Sequence, residues 1–261
     1  MPRIYLSGAV LDAALESQEF DLDADNAKKI VKVLRMAQGE TFVAFDGMGR
    51  EWECVLSGVE SDGKPRARAV ILHERDAQSA RRAQISIAQA IPKGDKMDFV
   101  LQKGTEIGVT EFWPFEAQRS VARFFDEDGE RATMRAMRWR KIVEGAASQC
   151  GRADVPLVHA ISDFSGVVAA GTSEGRCFFL DENEETVSLR EALGREAIEW
   201  SEDLPPKIMI LVGPEGGWSD EEREWAQRYG AESISLGNRI LRTETAALVA
   251  AAILSWEAGE I

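Results

Sequence analysis

Ile208-Met209-Ile210-Leu211-Val212-Gly213-Pro214-Glu215-Gly216-Gly217-Trp218-Ser219 decides the fold. Its first five residues form an unbroken apolar run, short enough for a strand buried on both faces. Three glycines and a proline then break the run. Ser219, followed by Asp220, Glu221 and Glu222, marks a helix start: a capping hydroxyl with acids in the first turn. A buried strand that turns through glycines into a capped helix is the repeating unit of a parallel α/β sheet, whose ligands bind beyond the carboxyl ends of the strands. The loop lacks the Lys-Ser/Thr ending of a phosphate-binding loop, and its glycine spacing is not that of a dinucleotide fold.

The same grammar extends to both sides. Gln84–Ile91, Val109–Phe115, Cys177–Leu180 and Ile234–Leu236 read as strands. Helices are expected after Asp95 with Met97, Val100, Leu101 and Gly104 on one face, over Glu130–Gln149, over Asp220–Tyr229 and over Glu244–Glu257. In the Glu130–Gln149 helix, Ala136, Trp139, Val143, Ala146 and Cys150 share one stripe, and Arg131, Arg135 and Arg138 another. Thr243 is positioned to cap the last helix. The alanine-rich body of that helix is apolar nearly all round, which implies burial on most sides.

Before residue 76 the pattern is different. Glu40–Asp46, Glu51–Leu56 and Arg66–Leu72 read as short strands, with turns at Gly47–Arg50 and Ser61–Pro65. Strands at this spacing suggest a small β-barrel. Asp23–Met36 reads as a short basic helix. The chain therefore divides into a barrel (1–75), a polar linker (76–83) and an α/β domain (84–261).

A chain of 261 residues that is 44% hydrophobic and 29% charged can bury a core without staples. The longest strongly apolar run, Thr245–Leu254, is too short to span a membrane, and Met1–Leu6 does not resemble a secretory signal. A cytoplasmic protein is expected. Three dispersed cysteines and two histidines give no disulfide framework and no metal site. The formal charge of −14 argues against non-specific coating of nucleic acid. Basic residues nevertheless cluster at Lys28, Lys29, Lys32 and Arg35, and again between Arg119 and Arg152.

A second loop, Leu236-Gly237-Asn238-Arg239-Ile240-Leu241-Arg242-Thr243-Glu244-Thr245, also joins a strand to a helix. Arg242 and Glu244 at the mouth of an apolar helix are costly unless they pair or face a cleft. An ion pair between the two is one reading, and a functional site is the other.

Gly213-Pro214-Glu215-Gly216-Gly217 followed by Leu236-Gly237, Ile240-Leu241-Arg242 and Glu244-Thr245-Ala246 resembles the SPOUT class of methyltransferases. More narrowly, the chain is similar to the 16S ribosomal RNA uracil-N3 methyltransferase family (RsmE). Val33–Met36, Phe45-Asp46-Gly47, Lys93–Asp98, Gln102–Gly108 and Ser148–Arg152 carry the likeness along almost the whole chain. Where family members often carry histidine before Val-Leu-Arg, this chain has Lys28 and Lys29.

The resemblance implies a PUA-like barrel that holds RNA and a SPOUT-type α/β domain whose last segments thread a trefoil knot. It implies a homodimer that uses S-adenosylmethionine, needs no metal and acts on 16S rRNA in the small ribosomal subunit. The cofactor residues it implies are Leu180, Val212, Gly213, Pro214, Glu215, Gly216, Gly217, Leu236, Gly237, Ile240, Leu241 and Arg242. Arg242 is the candidate for stabilising a uracil anion, with Glu215 and Glu244 as possible proton acceptors. Arg3, Lys32, Arg35, Lys103, Arg119, Arg123 and Arg152 are the expected RNA contacts. The rival readings are a ribose 2′-O-methyltransferase of the same class and an RNA-binding assembly protein without catalysis.

Overall fold

In the α/β part, each central strand buries both of its faces. The computed structural model describes residues 1–76, 81–120 and 129–261; half of the expected linker (77–80) and Arg123 lie outside these. It separates into two compact units, 1–79 with 147–155, and 80–146 with 156–261.

The first unit contains β1 (Arg3–Tyr5), α1 (Gly8–Ser17), β2 (Glu19–Asp21), α2 (Ala24–Lys28), β3 (Thr41–Phe45), β4 (Glu51–Glu60) and β5 (Arg66–Arg75). Its five-stranded sheet runs β1-β3-β4-β5-β2. Ile4, Leu11, Phe20, Ile30, Phe42, Trp52 and Leu56 form one buried core. The turn expected at 47–50 is held by the buried Asp46 carboxylate, which accepts the backbone N–H groups of Met48 (2.7 Å) and Arg50 (3.1 Å).

Two features of this unit differ from the sequence reading. Asp23 does cap a helix, accepting the Asn26 N–H at 2.9 Å. The single helix expected to Met36 instead widens after Lys28 into a π-helical turn, Lys29–Leu34, and ends at a left-handed Arg35 (φ 54°). The stretch between Leu6 and Asp23, where the sequence reading places no element, supplies α1 and β2, with Leu11 and Ala14 turned into the core.

The second unit contains β6 (Gln84–Ala90), α3 (Lys96–Glu106), β7 (Glu111–Glu116), α4 (Gly129–Cys150, whose last residues pack with the first unit), β8 (Leu157–Val158), β9 (Ser162–Asp163), α5 (Phe164–Glu174), β10 (Arg176–Leu180), α6 (Leu189–Arg195), β11 (Lys207–Val212), α7 (Asp220–Arg228), β12 (Glu232–Ile234) and α8 (Thr243–Ala258). Its sheet runs β12-β10-β11-β6-β7-β8, with β9 also on β7, and its strand pairs are parallel. Alternate residues feed the two faces. Cys177, Phe179, Met209 and Leu211 join Ala88, Ala90, Phe115, Val167 and Trp218 in one cluster. That face carries α5, while α8 lies against β6 and β11 and also contacts α3. Ala247, Ala250, Ala251 and Leu254 are the buried residues that let α8 sit close.

Ser219 caps α7 in a reciprocal box with Glu222, as its sequence position implies. Three expectations are corrected. The short strand near 234 is β12, ending at Ile234, so Leu236 belongs to the following loop. Arg242, not Thr243, is the cap position of α8; Thr243 begins the helix and spends its hydroxyl elsewhere. In α4, Trp139, Val143 and Ala146 are buried, but Ala136 and Cys150 are exposed, because that stripe is covered only along its middle.

The last helix also departs from burial on most sides: Val249 and Ile253 are about one-third exposed and Trp256 two-thirds exposed (36%, 37% and 66%). At i, i+4 and i+7, they form an apolar stripe on the side of α8 away from the sheet.

Trp218 is the largest side chain fixed between loop and sheet. It is fully buried and stacks on Phe179 at 4.4 Å and parallel to Phe115 at 6.2 Å. Trp218→Ala is expected to lower the unfolding free energy of this unit by about 3–5 kcal/mol. Urea denaturation measures it, and a loss below about 1 kcal/mol would show that the ring is not part of the core.

Candidate functional site

Leu180, Val212 and Ile234 end three adjacent parallel strands, and all three line one cleft of about 1040 Å³. The loop after β11 forms one wall and the loop after β12 another. Every residue expected to hold a cofactor lines this cleft: Leu180, the run Val212–Gly217, Leu236, Gly237, Ile240, Leu241 and Arg242. Separated by up to 62 positions in sequence, they meet because the carboxyl ends of β10, β11 and β12 are neighbours.

The glycine loop is held by its tryptophan. The Trp218 indole Nε1 donates to the Leu180 carbonyl at 2.8 Å, which ties the loop after β11 to the end of β10. Gly213 lies under this ring; a Cβ there would come within 2.8 Å of the indole. Gly217 has φ +68°, a left-handed conformation, and a Cβ there would collide with the Glu182 carboxylate.

Arg223 of α7 completes the clamp. Its Nε donates to both Asp181 oxygens at 3.1 and 3.0 Å, Nη2 to Glu182 at 2.9 Å and Nη1 to the Trp218 carbonyl at 2.9 Å. Asp181 and Arg223 are both largely buried, so this is a shielded charge pair rather than a surface one. On the other side, Thr243 donates to the Gly213 carbonyl at 2.6 Å and accepts from Gln89 at 2.7 Å. Buried Gln89 thereby joins the start of α8 to the glycine loop.

The sequence did not single out Lys96, which lines the cleft. Its ammonium lies 2.9 Å from Glu215 and 3.4 Å from Glu244. Hydrogen bonding to Glu215 holds the Lys96 ammonium above the usual lysine range. Burial tends to raise the Glu215 pKa, but hydrogen bonds, led by that from Lys96 and including the Lys93 N–H, bring it below the usual carboxylate range. The Arg242–Glu244 ion pair is not formed among the described residues; Lys96 takes Glu244 instead. Arg242 is exposed at the cleft with no ion pair among the described residues.

The remaining expected residues are divided between the two units. Arg119 lies beside the cleft, its Nη1 3.5 Å from the Gly216 carbonyl. Lys103 pairs with Glu106 one helical turn on. In the first unit, Lys32 and Arg35 are exposed. Arg3 is mostly buried, donating to Glu51 at 2.6 Å and to the Arg152 carbonyl at 3.1 Å. Arg152 pairs with Asp154 at 2.7 Å. Arg123 lies outside the described residues. The signals that could have revealed the missed residues are modest. Lys96 lies in the Lys93–Asp98 stretch, while Arg223 and Gln89 look like ordinary helix-surface and strand residues in sequence.

Comparison with known proteins follows the same division. The family described as an RNA methyltransferase domain matches residues 79–255, and an RNA methyltransferase PUA domain matches residues 22–68. The chain belongs to the ribosomal RNA small subunit methyltransferase E family. It is 31% identical to the Bacillus subtilis member over 93% of this chain and 91% of that protein. It is 31% identical to the Mycobacterium tuberculosis member over 88% of this chain and 83% of that one. The crystal structure of the Neisseria gonorrhoeae member, bound to S-adenosyl methionine, superposes with a TM-score of 0.83 at 34% identity, covering 98% of each chain. A Legionella pneumophila structure in complex with the bound cofactor SAM gives 0.82 at 29%, again covering 98% of each.

Gly217→Ala forces an L-residue into the left-handed region beside Glu182. It is expected to cost about 1–2 kcal/mol, read as a lowered thermal midpoint. An unchanged midpoint would mean that the loop does not depend on this backbone conformation.

Proposed function

We propose that this protein transfers a methyl group from S-adenosylmethionine to N3 of a uridine in 16S rRNA, on the small ribosomal subunit in the cytoplasm. The observation that carries the reading is the exposed Arg242 guanidinium, without an ion pair among the described residues, at a cleft built from three strand ends and a glycine loop. Relatives that share this fold across nearly the whole chain are small subunit rRNA methyltransferases, one of them solved with the cofactor.

The cleft residues suit that cofactor. A volume of about 1040 Å³ leaves room for a base beside it, since small-molecule sites commonly occupy about 300–1,000 Å³. The lining is rich in carboxylates, among them Asp181, Glu182, Glu184 and Glu191, which complement a cationic sulfonium and an ammonium group. Backbone groups of Leu180, Val212, Gly213, Gly217, Leu236 and Leu241, with Pro214, Gly216, Gly237 and Ile240 alongside, would cradle the adenine and methionine parts. When bound, the cofactor supplies a methyl group already activated on sulfur.

The chain's own task is to make N3 nucleophilic. Uracil N3–H is an imide, protonated at neutral pH, and its nitrogen attacks only after losing that proton. A permanently charged guanidinium can donate to a flanking carbonyl oxygen and stabilise the anion as it forms. Arg242, exposed at the cleft, is the proposed donor. Of the two carboxylates considered as proton acceptors, Glu215 lines the cleft and Glu244 does not, so Glu215 or water takes the proton and Glu244 has a different task.

Lys32 and Arg35 from the first unit and Lys103 and Arg119 from the second supply exposed or half-exposed cations for the RNA backbone; Arg123, a further sequence candidate, lies outside the described residues. The internal pairing of Arg3 and Arg152 favours a supporting role for both. Phosphate contacts position the strand, and the extruded base is read in the cleft. The apolar stripe Val249, Ile253 and Trp256 supports a homodimer formed through α8.

Arg242→Ala is expected to lower kcat by about 10²- to 10³-fold, the usual loss when one donor to a developing anion is removed. The dissociation constant of S-adenosylmethionine, measured by calorimetry, should change by less than about threefold. A variant with unaltered kcat would remove Arg242 from the mechanism.

A further inference from the structure

Arg242 and Glu244 are separated by one residue at the mouth of α8. A free guanidinium beside a carboxylate would ordinarily pair with it; its charge would then be neutralised and up to two of its five donors turned away from an anionic substrate. In this protein the carboxylate is already occupied. Lys96 reaches across from the start of α3, with Nζ 2.9 Å from Glu215 Oε1 and 3.4 Å from Glu244 Oε2. Glu244 is the more enclosed of the two carboxylates, its side chain 13% exposed against 28% for Glu215. Its Oε2 is buried and accepts no hydrogen bond among the described residues, so the Lys96 ammonium at 3.4 Å meets it as an ion-pair contact.

A buried carboxylate oxygen needs a compensating donor or charge beside it. Lys96, at ion-pair distance, is what satisfies its charge. Asp95 and Asp98, the other acids at the start of α3, are held by Arg138 of α4 and do not draw Lys96 away.

We infer that Lys96 is a positioning residue that keeps Arg242 available to the substrate by occupying Glu244. It touches neither Arg242 nor, on this account, the reacting atoms. It acts by preventing an inhibitory ion pair two residues along the chain. This inference rests on the assignment of Arg242 above.

The test is a rescue by a second loss. Methyl transfer from S-adenosylmethionine to small ribosomal subunits lacking their own modification is measured for the wild type, Lys96→Met, and the double variant Lys96→Met with Glu244→Gln. Lys96→Met is expected to lower kcat at least tenfold, because Glu244 now captures Arg242, while cofactor affinity measured by calorimetry stays within about threefold. The double variant is expected to regain most of that kcat, since an amide has no charge with which to hold the guanidinium. Both variants lack the Lys96–Glu215 contact, so their difference isolates Glu244.

A merely structural Lys96 would predict the opposite order, with the double variant no better than the single one. That result overturns the inference, as does a Lys96→Met enzyme with wild-type kcat. Failure of the underlying assignment has a separate signature: a wild type that places no methyl on uracil N3, or an Arg242→Ala enzyme that is fully active.

Discussion

The indole of Trp218 sits in the core and donates one hydrogen bond to the Leu180 carbonyl. Through that bond the glycine loop after β11 is fixed at the end of β10, and the cleft has a rigid wall. A buried Nε1–H needs an acceptor. The strand-end carbonyl supplies it, while the ring's stacking on Phe179 and Phe115 settles where the loop can lie. Gly213 permits the close approach and Gly217 turns the chain out again. Arg223 and Thr243 then fasten the two flanks. The geometry of the cleft is therefore a consequence of core packing, and rigid elements rather than free loops position it.

The α/β part is legible in the sequence because its strands are written as apolar runs and its breaks as glycines. Ile208–Val212 and Cys177–Leu180 are buried strands, and Ser219 caps the helix that its acids announce. The first unit is less legible. Its edge strands β1 and β2 have only three residues each, too few to show a period. α1 is apolar at Ala9, Val10, Leu11, Ala13, Ala14 and Leu15, a composition that does not say that Leu11 and Ala14 are the pair facing the core. The apolar stripe of α8 escaped for another reason: a run of alanine, leucine, valine and isoleucine does not say which side meets the sheet.

Motifs gave the cleft-lining residues, but they could not give the partners. A chain read in one dimension pairs Arg242 with Glu244, its neighbour. In three dimensions, Lys96 lies closer to Glu244 by way of a helix that begins 148 positions earlier. Arg223 and Gln89 are invisible for the same reason, since their tasks are defined by contacts across elements. Conversely, Arg3 and Arg152 look like basic-patch residues in sequence, whereas both hold internal acceptors. Charge counts identify cations; only contacts separate those with a structural task from those that remain for a ligand.

The atom that receives the methyl group separates base chemistry from ribose chemistry in this cleft. Purified protein incubated with radiolabelled S-adenosylmethionine and small ribosomal subunits lacking the modification, followed by digestion and nucleoside identification, reads that atom directly. Label recovered in 3-methyluridine is the predicted result. Label in a 2′-O-methyl nucleoside would contradict it and assign the cleft to ribose chemistry instead.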